Sequence, residues 1–396
     1  MFRTAIDRAG RFAAGARIAL AACLVASCSP SMLGGGPRPG TPAAPVSGEV
    51  LGSGAVKVGL LLPLSATGNA GQIAQNMKNA ADLAIREFPS SGIQLLVKDD
   101  RGTAEGARAA AAEAISQGAE LILGPLFAQS VSGAAAVAKP AHVPIIAFSS
   151  DTSVASRGVY LLSFLPQSDI DRIVRYASRQ GKHSYAALLP NSAYGSLAQA
   201  ALQKAVADSG GRLMAVERYD LDRVAMQAKA TAVAGVMQGG AVDAVFLPGG
   251  AEEAPFLAQI LAANKVKPGS VKYLGSGQWD DPRVAAESNL SGGWYPAPER
   301  SGFAAFAARY QTAFGAQPLR PASLAYDATS LAAGLAARFG TERFADKTIT
   351  NASGFIGIDG AFRFLPSGMN ERGLAIYQIS RGKAAVVEAA PRSFSK

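Results

Sequence analysis

Hydroxyl and carboxylate side chains gather at two places in this chain, each soon after an apolar run. Ser149, Ser150 and Asp151 follow the run 143–148, and Ser130 lies beyond the run 121–123 and the turn Gly124-Pro125. A serine near the start of a helix combines its hydroxyl with unpaired backbone N–H groups, which suits a carboxylate. The same serine also serves as a plain helix cap. Asp151 offers a charge that would pair with an ammonium group and repel a ligand carboxylate nearby. Helix capping or a surface turn is its other reading, and the local pattern favours it. Tyr194 and Trp279 stand on loops after later apolar runs. An aromatic ring with a polar tip there serves equally to grip a ligand or to pack between lobes. Glu252 and Glu253 follow Gly249-Gly250 at the start of a helical segment, as partners of its dipole.

Catalysis is thinly provided for. The chain has no Gly-x-Ser-x-Gly elbow, no Gly-x-x-x-x-Gly-Lys-Ser/Thr phosphate loop and no His-Glu-x-x-His. Its two histidines, His142 and His183, lack neighbours at metal or triad spacing. A hydrolase built on Ser149 or Ser150 is a remote alternative, and no cofactor is expected. Cysteine occurs only at Cys23 and Cys28, so the remainder has no disulfide framework and no thiolate metal site.

Loops of this kind need a rigid frame, and residues 120–151 show what it is. Two continuous apolar runs flank a segment with helical spacing at Val131, Ala134/Ala135 and Ala138. Such runs, bounded by Gly and Pro, suit strands buried on both faces of a parallel sheet. In open α/β sheets ligands bind beyond the carboxyl ends of the strands, so both loops point at one crevice. Strand-like runs recur at 56–64, 93–97 and 159–164, then at 185–189, 212–218, 244–247 and 272–275, with helical segments between. The class is therefore α/β. At 396 residues the chain exceeds one comfortable core and suits two lobes. With 49% hydrophobic and 17% charged residues it is globular rather than disordered.

The N-terminus reads as a processing segment. Arg3, Arg8, Arg11 and Arg17 precede the apolar run 18–26. Val25-Ala26-Ser27-Cys28 resembles a bacterial lipobox, in which Cys28 is acylated. The competing Leu20-Ala21-Ala22-Cys23 leaves too short an apolar core. Residues 1–27 are thus expected to be a lipoprotein signal peptide, and 28–55, rich in Pro and Gly, a tether. Lys and Arg number 38 against 29 Asp and Glu; without the leader's four Arg and one Asp the counts are 34 and 28, or +6. That charge is compatible with an anionic envelope surface. No basic run is interleaved with aromatics, so nucleic acid is not an expected partner.

Taken together, Val58-Gly59-Leu60-Leu61-Leu62-Pro63-Leu64-Ser65, Lys98-Asp99-Asp100, Gly124-Pro125 with Ser130, Tyr194-Gly195 and Ala325-Tyr326-Asp327-Ala328 resemble leucine-binding-type (type I) periplasmic binding proteins. In wording, Gly124-Pro125-Leu126-Phe127 and Phe148-Ser149-Ser150-Asp151 are still more similar to penicillin-binding protein activator lipoproteins. The resemblance implies two α/β lobes, each a mostly parallel sheet flanked by helices, joined by three crossings near Pro166, Trp294 and Arg372. One lobe would hold 56–165 and 295–345, the other 166–294 and 346–396. It implies ligand contacts from Ser65, Ser130, Ser149, Ser150 and Asp151 on one side, and from Tyr194 and Trp279 on the other. Asp151 stands where amino-acid receptors commonly carry Thr, a departure from a leucine-like site. The implied function is a non-catalytic, lipid-anchored envelope protein at the outer membrane that activates a penicillin-binding cell-wall synthase. The alternative is the receptor of an ABC-type amino-acid uptake system, binding a small polar ligand.

Overall fold

The computed structural model describes residues 48–394 apart from 91, 267 and 268. The expected leader, Cys28 and most of the tether lie outside the described residues. The tether's expected end at Ala55 is corrected, because an edge strand, β1 (Val50–Leu51), is already formed there. It leads into β2 (Val56–Leu62), α1 (Gly68–Glu87), β3 (Ile93–Asp99), α2 (Ala104–Ser116), β4 (Ala119–Leu123), α3 (Ala128–Ala138), β5 (Ile145–Ala147) and β6 (Val159–Leu161). These form one sheet in the order β1-β3-β2-β4-β5-β6, parallel except at β1. The unbroken apolar runs have a direct cause. Val58, Leu60 and Leu62 join one core on the face covered by α1, while Leu61 and Ile122 join another under α2 and α3. Alanines make that second face possible. Ala107, Ala110, Ala134 and Ala138 are all buried, and a Cβ on Gly133 would fall 2.0 Å from the Ala104 carbonyl oxygen.

The second lobe comprises α4 (Pro166–Arg179), β7 (Ser184–Pro190), α5 (Ala193–Asp208), β8 (Arg212–Tyr219), α6 (Arg223–Gln238), β9 (Ala244–Phe246), α7 (Ala254–Ala263), β10 (Lys272–Leu274), α8 (Pro282–Ala286) and β11 (Trp294–Ala297). The chain then returns to the first lobe through α9 (Arg300–Phe314), α10 (Ala322–Arg338) and α11 (Asp346–Ile349). A small antiparallel sheet follows, β12 (Phe355–Gly357), β13 (Gly360–Phe364) and β14 (Asn370–Arg372). Leu324, Leu331, Ile349, Phe362 and Phe364 from these elements share a core with Val58 and Leu60. Finally β15 (Ala375–Ser380) and β16 (Lys383–Glu388) complete the second sheet, ordered β16-β15-β11-β10-β9-β7-β8.

Three crossings result, at 162–165, 298–299 and 373–374. The element memberships differ from the partition expected above at two points. Strand β11 belongs to the second sheet, where Tyr295 pairs with Tyr377. Residues 346–372 pack on the first lobe, because their short strands present Phe362 and Phe364 to its core. The start of the second lobe matters more for the site. Helix α4 begins at Pro166, where the fixed φ of proline suits the first helical position. Leu165 therefore holds the cap position, and Asp169 lies inside the first turn.

Candidate binding site at the hinge

A cavity of about 510 Å³ opens where the first and second crossings meet the second lobe. Its polar groups are Asp169, Tyr194, Ser276, Gln278, Asp280 and Arg320, and its apolar walls are Phe164 and the prolines at 166, 296 and 298. All but Arg320 come from the second lobe or the crossings. Concave, partly apolar sites of this size with a few convergent polar groups are the usual form of small-ligand pockets.

Each polar group is held by its neighbours. Asp169 points from the first turn of α4 towards the loop after β10, and its Oδ2 accepts the Gly277 N–H at 3.0 Å. Burial pushes its carboxyl up to about 7, against the opposing effects of that N–H and the Arg372 charge. Tyr194 is the second residue of α5, the helix after β7; its hydroxyl donates to the Pro248 carbonyl at 3.4 Å. Ser276 donates to the same carbonyl at 2.8 Å and accepts the Gln278 N–H at 3.2 Å. Asp280 is occupied by Arg300 and by the Tyr295 hydroxyl at 3.2 Å. Gln278 is exposed, and its side chain engages the Tyr194 hydroxyl at the edge of the cavity.

Arg320 is set by a buried charge network at the hinge. It pairs with Asp359 at 2.5 Å and lies over the rings of Phe303 (4.2 Å) and Phe164 (5.3 Å). Asp359 also accepts from Ser323 at 2.6 Å. Asp327, on α10, accepts the Ile358 N–H at 2.7 Å. Strand β14, which leads into the third crossing, is stitched to the first: Arg372 Nε and Asn370 Nδ2 both donate to the Ser163 carbonyl, at 3.0 and 2.8 Å.

Of the residues singled out from the sequence, the cavity takes in Tyr194. Ser65, Ser130, Ser149, Ser150 and Asp151 are not in its lining. Their loops do share one edge of the first sheet, at the carboxyl ends of parallel strands. Ser130 is fully buried in the third residue of α3, its hydroxyl 3.4 Å from the Thr103 carbonyl, and Phe127 holds the cap position. Ser149 is buried and accepts the Asp151 N–H, whereas Ser150 and Ser65 are exposed. Asp151 caps a short 3-10 helix by accepting the Ser153 N–H at 2.9 Å, the bland reading favoured above. Trp279 is likewise a packing residue in this structure. It is fully buried, with its indole N–H on the Leu247 carbonyl at 2.9 Å. Asp169, Ser276, Gln278 and Arg320 were not singled out. Gln278 lay beside Trp279 in a loop already noted, but Asp169 and Arg320 reach the site only through contacts distant in sequence. Among the described residues no cluster of His, Cys, Asp and Glu could hold a metal, and no helix is long and apolar enough to cross a membrane.

Comparison with known proteins agrees with this architecture. The family model for periplasmic binding proteins matches residues 55–384. A putative branched-chain amino acid ABC transporter protein from Rhodospirillum rubrum superposes with a TM-score of 0.73 at 20% identity, covering 84% of this chain and 100% of that one. A solute binding protein from Rhodopseudomonas palustris BisB5, solved with 3,4-dihydroxybenzoic acid, gives 0.57 at 21% identity over 86% and 98%. A branched-chain amino acid transporter substrate binding protein from Streptococcus pneumoniae, solved with isoleucine, gives 0.54 at 18% identity over 84% and 99%. A sequence search among curated proteins found no match. The two-lobed α/β fold expected from the sequence is thus the fold observed, and the match over 55–384 decides the family: the chain belongs to the periplasmic binding proteins, a non-catalytic, extracytoplasmic family of solute binders.

Proposed function

We propose that this protein is the solute-capturing receptor of an ABC-type uptake system, taking a small amino-acid-like solute at the hinge. The cavity carries this reading, because residues of both lobes converge there on a space suited to a small molecule. Asp169 receives the ammonium group and Gln278 and Tyr194 the remaining polar atoms. Phe164 and the prolines cover the apolar part. Arg320 faces the carboxylate, although it shares its charge with Asp359. The relatives above support a small-solute role, since one was solved with an amino acid and another with a hydroxylated aromatic acid. Acylation at Cys28 anchors the receptor to the envelope. Cys28→Ala should move it from the membrane fraction to the soluble fraction, while Cys23→Ala should not.

Thermal melts with amino acids and hydroxybenzoates test the receptor reading. A ligand at 100 times its dissociation constant stabilises the native state by about 2.7 kcal/mol, a few degrees for a chain this long. Asp169→Asn should weaken an ammonium-bearing solute about ten- to a hundredfold, because a lost charged hydrogen bond costs about 1.5–3 kcal/mol. The carboxyl must give up its proton to hold a cation, so affinity should rise with pH and level off above about 7. If no solute shifts the melt while the protein retains a penicillin-binding synthase in a pull-down, the activator reading replaces this one. The wording of Gly124–Phe127 and Phe148–Asp151 is what favours that second reading.

A further inference from the structure

A second cavity, of about 430 Å³, lies along a different face of α4 from Asp169, and arginines dominate it. Arg172, Arg175 and Arg179 project from successive turns of that helix; Arg363 comes from β13 and Arg372 from β14. Three carboxylates of the lining answer four of these cations, and the fifth, Arg372, has Asp359, Asp327 and Asp169 as its nearest opposite charges, outside the lining. Asp171 holds Arg175 at 2.8 Å, Glu371 holds Arg363 at 2.6 Å, and Glu388 is divided between Arg172 (2.6 Å) and Arg179 (2.7 Å). The lining itself therefore carries more positive than negative charge. Arg372 adds a second observation: its guanidinium lies over the rings of Phe164 (4.6 Å) and Phe362 (5.7 Å), yet its terminal nitrogens are left without hydrogen bonds among the described residues. It is only 5% exposed and donates Nε to the Ser163 carbonyl at 3.0 Å. Buried guanidinium nitrogens without partners are costly, and an oxyanion with several acceptor oxygens relieves that cost with paired, charge-assisted bonds.

We propose that this cavity is a second binding site, for a small free oxyanion of the phosphate type, separate from the solute site and independent of the receptor reading. Its walls come from α4 of the second lobe, from β13 and β14 of the first, and from the tail residues Pro391 and Phe394. An anion there draws together segments from both lobes. Titrating the full-length protein with inorganic phosphate, against chloride at matched ionic strength, tests it by calorimetry and by melting temperature. Phosphate should bind saturably and raise the melting temperature where chloride does not. Arg175→Ala with Arg179→Ala should weaken it at least about tenfold, equal to about 1.4 kcal/mol. Those two side chains are 61% and 52% exposed, so the ligand-free melt should barely change. Glu371→Gln removes a competing carboxylate and should tighten binding. Phosphate effects that fail to saturate, that equal those of chloride, or that are the same in all three proteins would overturn the proposal.

Discussion

Asp327 illustrates how a single carboxyl at the hinge sets a property of the whole protein. It is 3% exposed, and a Cβ on Gly357 would lie 2.3 Å from its Oδ2, so glycine is what lets the strand pass. Burial pushes its carboxyl up to about 7; Asp359 adds to the rise, while the Ile358 N–H, Arg372 and Arg320 oppose it. In the unfolded chain the same group titrates at its ordinary value of 3.8. Between those values the folded protein keeps a proton that the unfolded chain has lost, so stability must fall as pH rises through this window. The slope is up to about 1.4 kcal/mol per pH unit for one such group. Asp169 contributes with the same sign. Asp327→Asn keeps an oxygen for the Ile358 N–H and removes the ionisation. Urea unfolding at about pH 5 and about pH 8 should show a smaller loss of stability in the variant than in the wild type. Equal losses would mean that Asp327 is charged in the folded protein throughout.

At the scale of elements, the loop after β10 is organised by an indole. Trp279 folds back on Gly275 so closely that a Cβ at that position would stand 2.1 Å from its ring. The ring fills the second-lobe core beside Tyr295, and the loop thereby holds Ser276, Gly277 and Gln278 against the cavity. Gly275→Ala must expel the ring or shift the strand. Overpacking typically costs about 1–3 kcal/mol, and a displaced indole places this substitution at the upper end. The midpoint of chemical unfolding should drop accordingly, and solute affinity should drop with it. The sequence made much of this frame legible. Runs such as Leu60-Leu61-Leu62 are continuous because cores lie on both faces, and the stripe of Phe306 and Tyr310 on α9 has helical spacing. The site was less legible for a physical reason. Asp169 follows Ser168 in what resembles a cap, and only the helix start at Pro166 turns it towards Gly277, 108 residues away. Trp279 looked available on a loop because nothing local reveals that Gly275 has made room for its ring. Residues 346–372 carry strands of three to five residues, too short for any period to show which core they serve.

For the molecule as a whole, neither lobe is a continuous piece of chain. Residues 48–165 contain the first sheet but lack α10, whose Leu324, Leu331 and Leu335 close one of its faces. That fragment should lack a cooperative melt, and one comparable with that of the intact protein would contradict the packing described here. The three crossings have a consequence for a molecule cut by a protease. A single cut at 298–299 would divide the chain into two covalent pieces, yet each piece would still own parts of both lobes. The shorter piece would grip one lobe through α10 and the sheet β12–β14, and the other through β15 pairing with β11. Releasing either grip leaves the other in place, so the freed end stays at high effective concentration and rebinds. Nicked protein should therefore travel as one particle and part into its two pieces only when both lobes unfold together.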